Sequence, residues 1–203
     1  MTKVKRIIIG ILLLSFCLSA ASCKKKKEAF NHEVLRAAAK SYGATELEDL
    51  DSLLEKMKFF EVEGGIYYTA ADESEAQIMY DRVINRINEY PDCHAKECTV
   101  FFSKDDEKDR LYILLFTAKK EITAKKIYEV MAQSGDFENV SSGEKDGYEY
   151  TLQYEADGWI SGRGYYRKGN RIAMIHMYSN DGDYSGDFED LIEDIGLLSP
   201  ENA

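Results

Sequence analysis

Hydrophobic residues fall at the i, i+3, i+4 spacing of an amphipathic helix in five stretches of the chain. The stretches cover residues 34–39, 47–57, 76–90, 127–131 and 188–195. The first four follow a residue that can cap a helix N-terminus: Asn31, Thr45, Asp72 and Thr123. Three of the predicted helices meet a residue that stops a helix: Gly43, Pro91 and Gly135. The pattern therefore predicts five helices, each with one buried face.

Other stretches carry the patterns of β-strands. Residues 148–155 alternate between aromatic or apolar and polar side chains, and residues 111–116 are apolar throughout, as in a strand covered on both faces. From Gly147 the sequence predicts a meander of three strands that ends in residues 171–178. Gly64-Gly65 predicts a hairpin between residues 59–63 and 66–69. The predicted fold class is α+β, an antiparallel β-sheet with helices packed on it.

The predicted strand–helix units at residues 110–135 and 171–196 match position by position without gaps. An internal duplication would give this match, and so would any two strands that are each followed by a helix. The sequence therefore predicts one compact domain over residues 31–203, in which two related strand–helix halves remain an open alternative.

Residues 1–22 have the order of a secretion signal: a basic head, an apolar run and a group of small residues. The head ends at Arg6, the apolar run covers residues 7–18, and the small residues are Ser19-Ala20-Ala21-Ser22. The run is shorter than the roughly 20 residues that a membrane-spanning helix needs. The pattern predicts export from the cytoplasm.

The segment Ala20-Ala21-Ser22-Cys23 resembles the lipobox of bacterial lipoproteins. This resemblance implies cleavage before Cys23 and diacylation of its thiol. Cys17 is a poorer candidate because the bulky Phe16 precedes it. An ordinary cleaved signal and an uncleaved anchor are the alternatives. The expected organisation is a signal peptide at 1–22, a lipidated cysteine with a basic tether at 23–30, and the folded body from residue 31 onward.

The tether contains Lys24-Lys25-Lys26-Lys27, which can strengthen a lipid anchor on an anionic membrane surface or serve as a solvated spacer.

The rest of the chain is acidic, since the whole sequence has 37 Asp and Glu against 26 Lys and Arg, a net charge of −11. An acidic body repels the phosphate backbone of nucleic acids. The expected partners are therefore the membrane, through the lipid on Cys23, and an unknown protein or small molecule, but no nucleic acid.

Cys93 and Cys98 are the two cysteines that follow Cys23. Two cysteines this close together in an exported protein predict a disulfide, which would stabilise the fold by about 2 kcal/mol in the chain-entropy model. Free thiols are the first alternative. A metal site is the second, although His94 would be the one nearby additional ligand and no second Cys/His cluster follows.

The sequence Asp181-x-Asp183-x-Ser185-Gly186 matches the start of an EF-hand or dockerin-type calcium loop. Asp181, Asp183, Ser185 and Asp187 are thus candidate metal ligands, and calcium is the one cofactor that the sequence suggests. Position twelve of the loop is Ile192, where those families place a bidentate Glu. The competing interpretation is an acidic loop in which Asp187 caps the last helix.

Aromatic residues around the predicted meander include Trp159, Tyr165 and Tyr166. If exposed side by side, they could stack on sugar rings; if buried, they are core residues with polar tips. His176 lies in the last predicted strand beside apolar residues, which is typical of a semi-buried structural histidine. No catalytic motif of the serine hydrolase, zinc protease or cysteine protease type is present.

The expected function is that of a membrane-anchored, extracytoplasmic and non-catalytic lipoprotein that binds a protein or small-molecule ligand. The alternative is a hydrolase or carbohydrate-active accessory protein that uses the aromatic and acidic surface of the meander.

Overall fold

A computed structural model describes residues 30–59, 62, 64–85, 90–105, 109–135, 137–156, 160–179 and 186–203. The signal peptide, Cys23 and the tether up to residue 29 lie outside these residues. So do Trp159, Asp181, Asp183 and Ser185. Within the part of the chain that is described, no helix is both long and apolar enough to span a membrane.

The first half of the body alternates helices and strands. In chain order it contains α1 (His32–Ser41), β1 (Thr45–Glu46), α2 (Leu50–Phe59), β2 (Gly64–Ala70), α3 (Glu73–Met79), a π-helical turn (Tyr80–Ile84), β3 (Ala95–Asp105), β4 (Asp109–Ala118) and α4 (Glu121–Ala132). The second half is mostly strand. It contains β5 (Asn139–Lys145), β6 (Tyr148–Ala156), β7 (Ile160–Lys168), β8 (Arg171–Ser179), α5 (Gly186–Asp194) and a final 3₁₀ turn (Pro200–Asn202).

All eight strands form one sheet in the order β1-β2-β3-β4-β8-β7-β6-β5. Every neighbouring pair is antiparallel except β1 and β2, which are parallel. Helices pack on both faces, so the predicted α+β class is confirmed. The central strands β4 and β8 are buried on both sides, in agreement with the continuous apolar run at residues 111–116.

The sheet separates two hydrophobic cores. The first core lies under α2, α3, the π-helical turn and α4, and contains Leu53, Met79 and Ile127. The second core lies under α1 and α5 and contains Leu35, Phe188 and Ile192. Alternate residues of one strand enter different cores, as Leu114 and Leu115 of β4 do, because side chains alternate between the faces of a sheet.

Two of the predicted helix caps are confirmed. The Asn31 side chain accepts a hydrogen bond from the Glu33 amide at 2.9 Å, and the Asp72 side chain accepts from the amides of Ser74 and Glu75. Gly43 and Gly135 follow α1 and α4 with positive φ angles of 92° and 96°, a conformation that glycine adopts without steric cost.

Two other predicted caps are wrong. Thr45 does not begin a helix but pairs with Ile66 in the parallel strand β1, and α2 begins later, where Asp49 accepts a hydrogen bond from the Ser52 amide at 2.7 Å. The helix predicted to start at Thr123 begins at Glu121 without a side-chain cap. At Thr45, pairing with strand β2 overrides the local capping signal.

The predicted hairpin at Gly64-Gly65 and the three-strand meander also need correction. Gly64 and Gly65 are the first residues of β2, which pairs with β3, and residues 50–59 before them are helical. The meander has four strands because β5, a polar and exposed strand, pairs with β6 at the edge of the sheet. An edge strand without an apolar face has no period-two signal in its sequence.

The proposed internal duplication finds no support in the sheet. β4 and β8 are neighbours and antiparallel, but α4 packs on the first core and α5 on the second. Equivalent positions also point to opposite faces, since Leu111 enters the second core and Ile172 the first. The structure therefore favours the alternative explanation of the sequence match, in which the two segments are independent strand–helix units.

Candidate binding cleft

A cleft of about 1080 Å³ opens on the face of the sheet that carries the first core. Helix α2 and the π-helical turn form one wall, and the ends of β3, β4 and β8 form the floor. Its apolar lining consists of Leu54, Met57, Val83, Phe102 and Tyr112. A volume of this size and an apolar lining are typical of small-molecule sites.

Polar groups also line the cleft. They are the cations Lys58, Arg82 and Arg110, the carboxylate of Asp81, His176 and Tyr178. Among the described lining residues, three cations thus face one carboxylate, although the whole chain carries a net charge of −11. The Asp51 carboxylate, outside this lining, lies 3.7 Å from the Arg82 guanidinium and compensates part of this charge.

The π-helical turn places Val83 in the cleft. A regular helix that buries Ala76, Met79 and Tyr80 would bury residue 83 next, as the sequence pattern predicts. The Asn85 amide instead donates to the Tyr80 carbonyl at 2.9 Å, which inserts one extra residue into the turn. Ile84 is buried in place of Val83. Such π-helical turns occur frequently at functional sites.

His176 is a histidine on the floor of the cleft. In the sheet it lies between Tyr112 of β4 and Arg163 of β7, and the Tyr112 and Tyr165 rings pack within 6.3 Å of its own. Burial, together with the nearby Arg163 guanidinium, lowers the pKa of His176 to about 3. The ring is therefore neutral at physiological pH, and it has one nitrogen that can donate and one that can accept a hydrogen bond.

The Nε2 atom of His176 is buried and has no hydrogen-bond partner among the described residues. Buried polar atoms in folded proteins are nearly always paired with other protein groups or with ordered water. The sequence predicts His176 to be a semi-buried structural residue. The residue is partly buried, as expected, but its hydrogen bonds are not completed by the described part of the fold.

Arg82 lies at the cleft wall and is more than half exposed. Its guanidinium is 3.7 Å from the Asp51 carboxylate of α2, whose side chain is 94% exposed. Ion pairs at such exposure contribute little to stability, because water and salt screen them. The Arg82 side chain can therefore turn to a bound group without a large cost to the fold.

His32, on the opposite face of the sheet, has both ring nitrogens paired. Nδ1 lies 2.9 Å from the Thr99 hydroxyl and Nε2 lies 2.9 Å from the Thr117 hydroxyl. Burial lowers the pKa of His32 to about 3, with further lowering from the cations Arg171 and Arg36. The two hydrogen bonds attach α1 to β3 and β4, so His32 holds the fold together and takes no part in the cleft.

Cys93 and Cys98 are both free thiols in the structure and both are completely buried in the first core. Burial raises the pKa of each thiol, and a neighbouring charge, that of Asp92 at Cys93 and that of Cys93 at Cys98, raises it further. Their pairing in a disulfide stays a prediction. Across the described ranges, no group of three or more His, Cys, Asp or Glu side chains could hold a metal ion.

The candidate calcium ligands Asp181, Asp183 and Ser185 lie outside the described residues, and only the backbone of Asp187, in α5, is described. The calcium site therefore stays a prediction. The structure tests part of the prediction that Trp159, Tyr165 and Tyr166 stack on sugar rings. Tyr165 and Tyr166 are both buried and belong to different cores. Trp159 lies outside the described residues. Tyr165 and Tyr166 cannot stack on the same sugar ring.

Sequence reasoning misses the cleft, because its lining comes from five separate elements. Leu54, Met57 and Val83 have the spacing of core positions, and they do pack partly against the first core while facing the cleft. Lys58, Arg82 and Arg110 carry no signal of their own in the sequence. The charge contrast between them and the acidic chain becomes visible only when the fold brings them together.

No protein-family model matches the sequence, and no curated protein matches it either. Among solved structures, the chain is similar to the extracellular domain of PknH from Mycobacterium tuberculosis, at 8% sequence identity and a TM-score of 0.38. The similarity covers 83% of this chain and 95% of that domain. At this identity and TM-score, the similarity identifies neither a common family nor a common function.

Proposed function

We propose that the protein is a membrane-anchored, extracytoplasmic lipoprotein that binds a small molecule in the cleft and catalyses no reaction. The signal-like segment 1–22 and the lipobox-like segment ending at Cys23 support the location. The acidic charge of the chain argues against nucleic acid as the ligand.

The cleft is the observation that carries the binding function. It combines apolar side chains with polar groups on both its wall and its floor, and such polar groups can fix the position and orientation of a small ligand. It also contains the unpartnered Nε2 atom of His176, which a ligand could satisfy. No such combination occurs around His32, whose nitrogens both bond to threonines.

The alternative, a carbohydrate-active or hydrolytic protein, lacks a supporting observation. Tyr165 and Tyr166 are buried on opposite faces of the sheet and form no exposed aromatic surface. Among the described residues, no nucleophile or carboxylate hydrogen-bonds to Nε2 of His176, whereas such a contact would support a general base.

The anchor is tested by the Cys23→Ala variant in the native host. The expected result is loss of palmitate incorporation and release of the protein from the membrane fraction, because the thiol that would carry the lipid is gone. Cys17→Ala is the matched control and should leave both readouts as in the wild type. Membrane retention of the Cys23→Ala variant would contradict the anchor.

The binding function is tested by filling the cleft. Met57 lines it from α2, and Met57→Trp introduces a larger side chain there. The intact chain is purified from membranes in mild detergent, and the small molecules released on denaturation are identified by mass spectrometry. A species retained by the wild type should be absent from Met57→Trp and present in the control Ile122→Trp, which changes an exposed residue of α4. Equal retention by all three proteins would contradict binding in the cleft.

A further inference from the structure

The described part of the chain begins at one end of the sheet, the end at which β6 and β8 start, which we call the tether end. Phe30 is buried there: its ring stacks on that of Tyr148 with 6.0 Å between centroids, and its carbonyl accepts a hydrogen bond from the Arg171 guanidinium at 3.1 Å. Six residues separate Phe30 from Cys23, and that length of chain can span at most about 25 Å. A lipid on Cys23 would therefore hold the tether end close to the membrane.

Three lysines lie together at the tether end. Lys119 and Lys120 follow the last residue of β4, and Lys168 is the last residue of β7. The Ala118 amide donates to the Asn170 carbonyl and the Asn170 side chain donates to the Ala118 carbonyl, each at 2.9 Å, so the two segments lie side by side. We call these three lysines the lysine cluster. Two of them are exposed and the third is partly exposed.

The lysine cluster has no carboxylate partner among the described residues. Glu121, the first residue of α4, lies 3.5 Å from the Arg167 guanidinium, and Glu149 lies 2.6 Å from it. Arg167 thus engages both carboxylates, and no ion pair joins the lysine cluster to any described acidic residue. Asp92 and Asp146 lie in the flanking turns, so the uncompensated positive charge is at the centre of the tether end.

The tether carries charge of the same sign. Lys24-Lys25-Lys26-Lys27 ends three residues before Phe30. Basic residues beside a lipid anchor strengthen its attachment to a bilayer that contains anionic lipid. An acidic protein would match this charge too, but the short chain between Cys23 and Phe30 brings the tether end within reach of the membrane. The length of the tether therefore favours a lipid surface as the partner.

We infer that the lysine cluster docks on anionic phospholipid headgroups and that the cleft consequently faces the aqueous phase. This inference rests on the proposed lipid anchor at Cys23. At the tether end Thr117 of β4 pairs with Arg171 of β8, whereas the cleft lies at the opposite end of these strands, where Arg110 pairs with Tyr178. The stretch of β4 between the two pairs spans about 23 Å. A ligand therefore enters the cleft from water and not from the bilayer.

Acetylation of lysines in the intact, lipidated chain tests this docking. The chain is purified from membranes, the lipid on Cys23 is verified by mass spectrometry, and the protein is placed in nanodiscs of phosphatidylcholine or of phosphatidylglycerol. Acetic anhydride, an uncharged reagent, modifies the accessible amines, and peptide mass spectrometry gives the rate at each lysine. The lysine cluster should react about threefold or more slowly in phosphatidylglycerol, because only that lipid has a net negative charge. Lys56, an exposed residue of α2 at the cleft wall, should react equally fast in both lipids.

The triple variant Lys119→Gln/Lys120→Gln/Lys168→Gln tests the contact itself. Lys96, an exposed residue near the start of β3, reports on the same end of the sheet. In the wild type it should be protected from acetylation in phosphatidylglycerol. In the triple variant it should lose about half or more of that protection, because the attraction between the body and the headgroups is weakened.

The matched control is Lys40→Gln/Lys56→Gln/Lys104→Gln, which removes the same charge from positions away from the tether end. Lys40 is in the last turn of α1, Lys56 is in α2, and Lys104 is in the last part of β3, where it pairs with Arg110. This variant should keep the wild-type protection of Lys96.

The outcomes separate the inference from the proposed function. Absence of lipid on Cys23 would overturn the anchor and, with it, the inference. If the lipid is present, equal labelling of the lysine cluster in the two lipids would overturn the inference alone and favour an acidic protein as the partner. Slower labelling of Lys56 in phosphatidylglycerol would overturn the orientation of the cleft. Unchanged protection of Lys96 in the variant of the lysine cluster would overturn the contact by these lysines.

Discussion

His32 and His176 lie on opposite faces of the same sheet, and burial lowers the pKa of both to about 3. Their surroundings differ in one respect. The hydroxyls of Thr99 and Thr117 form hydrogen bonds with the two ring nitrogens of His32. Nε2 of His176, in contrast, has no hydrogen-bond partner among the described residues. His32 therefore has all its hydrogen bonds within the fold, whereas His176, on the face that contains the cleft, has a nitrogen without one among the described residues.

The comparison teaches that burial alone does not separate a structural polar group from a functional one. A buried polar atom that is hydrogen-bonded within the fold contributes to stability. Its removal leaves its buried partner without a hydrogen bond and lowers the free energy of unfolding. A buried polar atom that has no partner in the protein costs stability unless water or a ligand satisfies it. Both faces carry a hydrophobic core, and the face with α2 and the π-helical turn also carries the proposed binding cleft.

The largest expected effect that tests this contrast comes from matched alanine substitutions. His32→Ala should lower the free energy of unfolding by about 3 kcal/mol, because it breaks two hydrogen bonds and leaves a cavity beside the buried hydroxyl of Thr99. His176→Ala should lower it by about 1 kcal/mol or less, since the residue lines an open cleft and removal of its unpartnered nitrogen offsets part of the lost packing.

Urea denaturation of both variants, followed by circular dichroism, measures these free energies. The far-ultraviolet spectrum serves as the control that both variants are folded before urea is added. An equal loss of stability in the two variants would show that the two histidines have the same role, and the contrast between the faces would be withdrawn.

A smaller effect is expected from pH. The pKa of each histidine is about 3 in the folded protein and about 6.5 in an unfolded chain, so the unfolded chain binds more protons between these values. The stability that depends on the neutral rings is therefore complete above pH 6.5 and is lost as the pH falls toward 3. Between pH 7 and pH 5 each histidine should account for a loss of about 2 kcal/mol.

Urea denaturation at several pH values separates the two contributions. His176→Ala should remove about half of the histidine-dependent loss between pH 7 and pH 5, because His32 alone then remains neutral in the folded state. Ile122→Ala, at an exposed position of α4 without a titratable side chain, is the control and should keep the wild-type pH dependence. A His176→Ala variant with the full wild-type pH dependence would show that His176 is not buried in its neutral form.

The main elements of the fold can be predicted from the sequence where local signals agree with tertiary packing. Asn31 and Asp72 cap helices as expected, and the apolar run at residues 111–116 lies in a strand that is covered on both faces. The predictions fail where pairing with a distant segment overrides a local signal. Thr45 has the pattern of a capping box, but its pairing with Ile66 in the sheet places it in β1.

The candidate site cannot be predicted from the sequence, for two physical reasons. Val83 sits at a helical spacing that predicts burial, and the extra residue of the π-helical turn moves it to the cleft wall. Lys58, Arg82 and Arg110 are far apart in an acidic sequence, and only the fold collects them around one volume. The partial burial of His176 can be predicted from its strand, but a missing hydrogen-bond partner is a property of three-dimensional neighbours.

The most direct measurement is the amount of small molecule that the intact chain and its Met57→Trp and Ile122→Trp variants retain through purification from membranes in mild detergent, by mass spectrometry after denaturation. If the cleft is the binding site, Met57→Trp should retain about a tenth of the wild-type amount or less, and Ile122→Trp should retain the wild-type amount. Wild-type retention by Met57→Trp would place the ligand elsewhere and contradict the proposed binding function of the cleft.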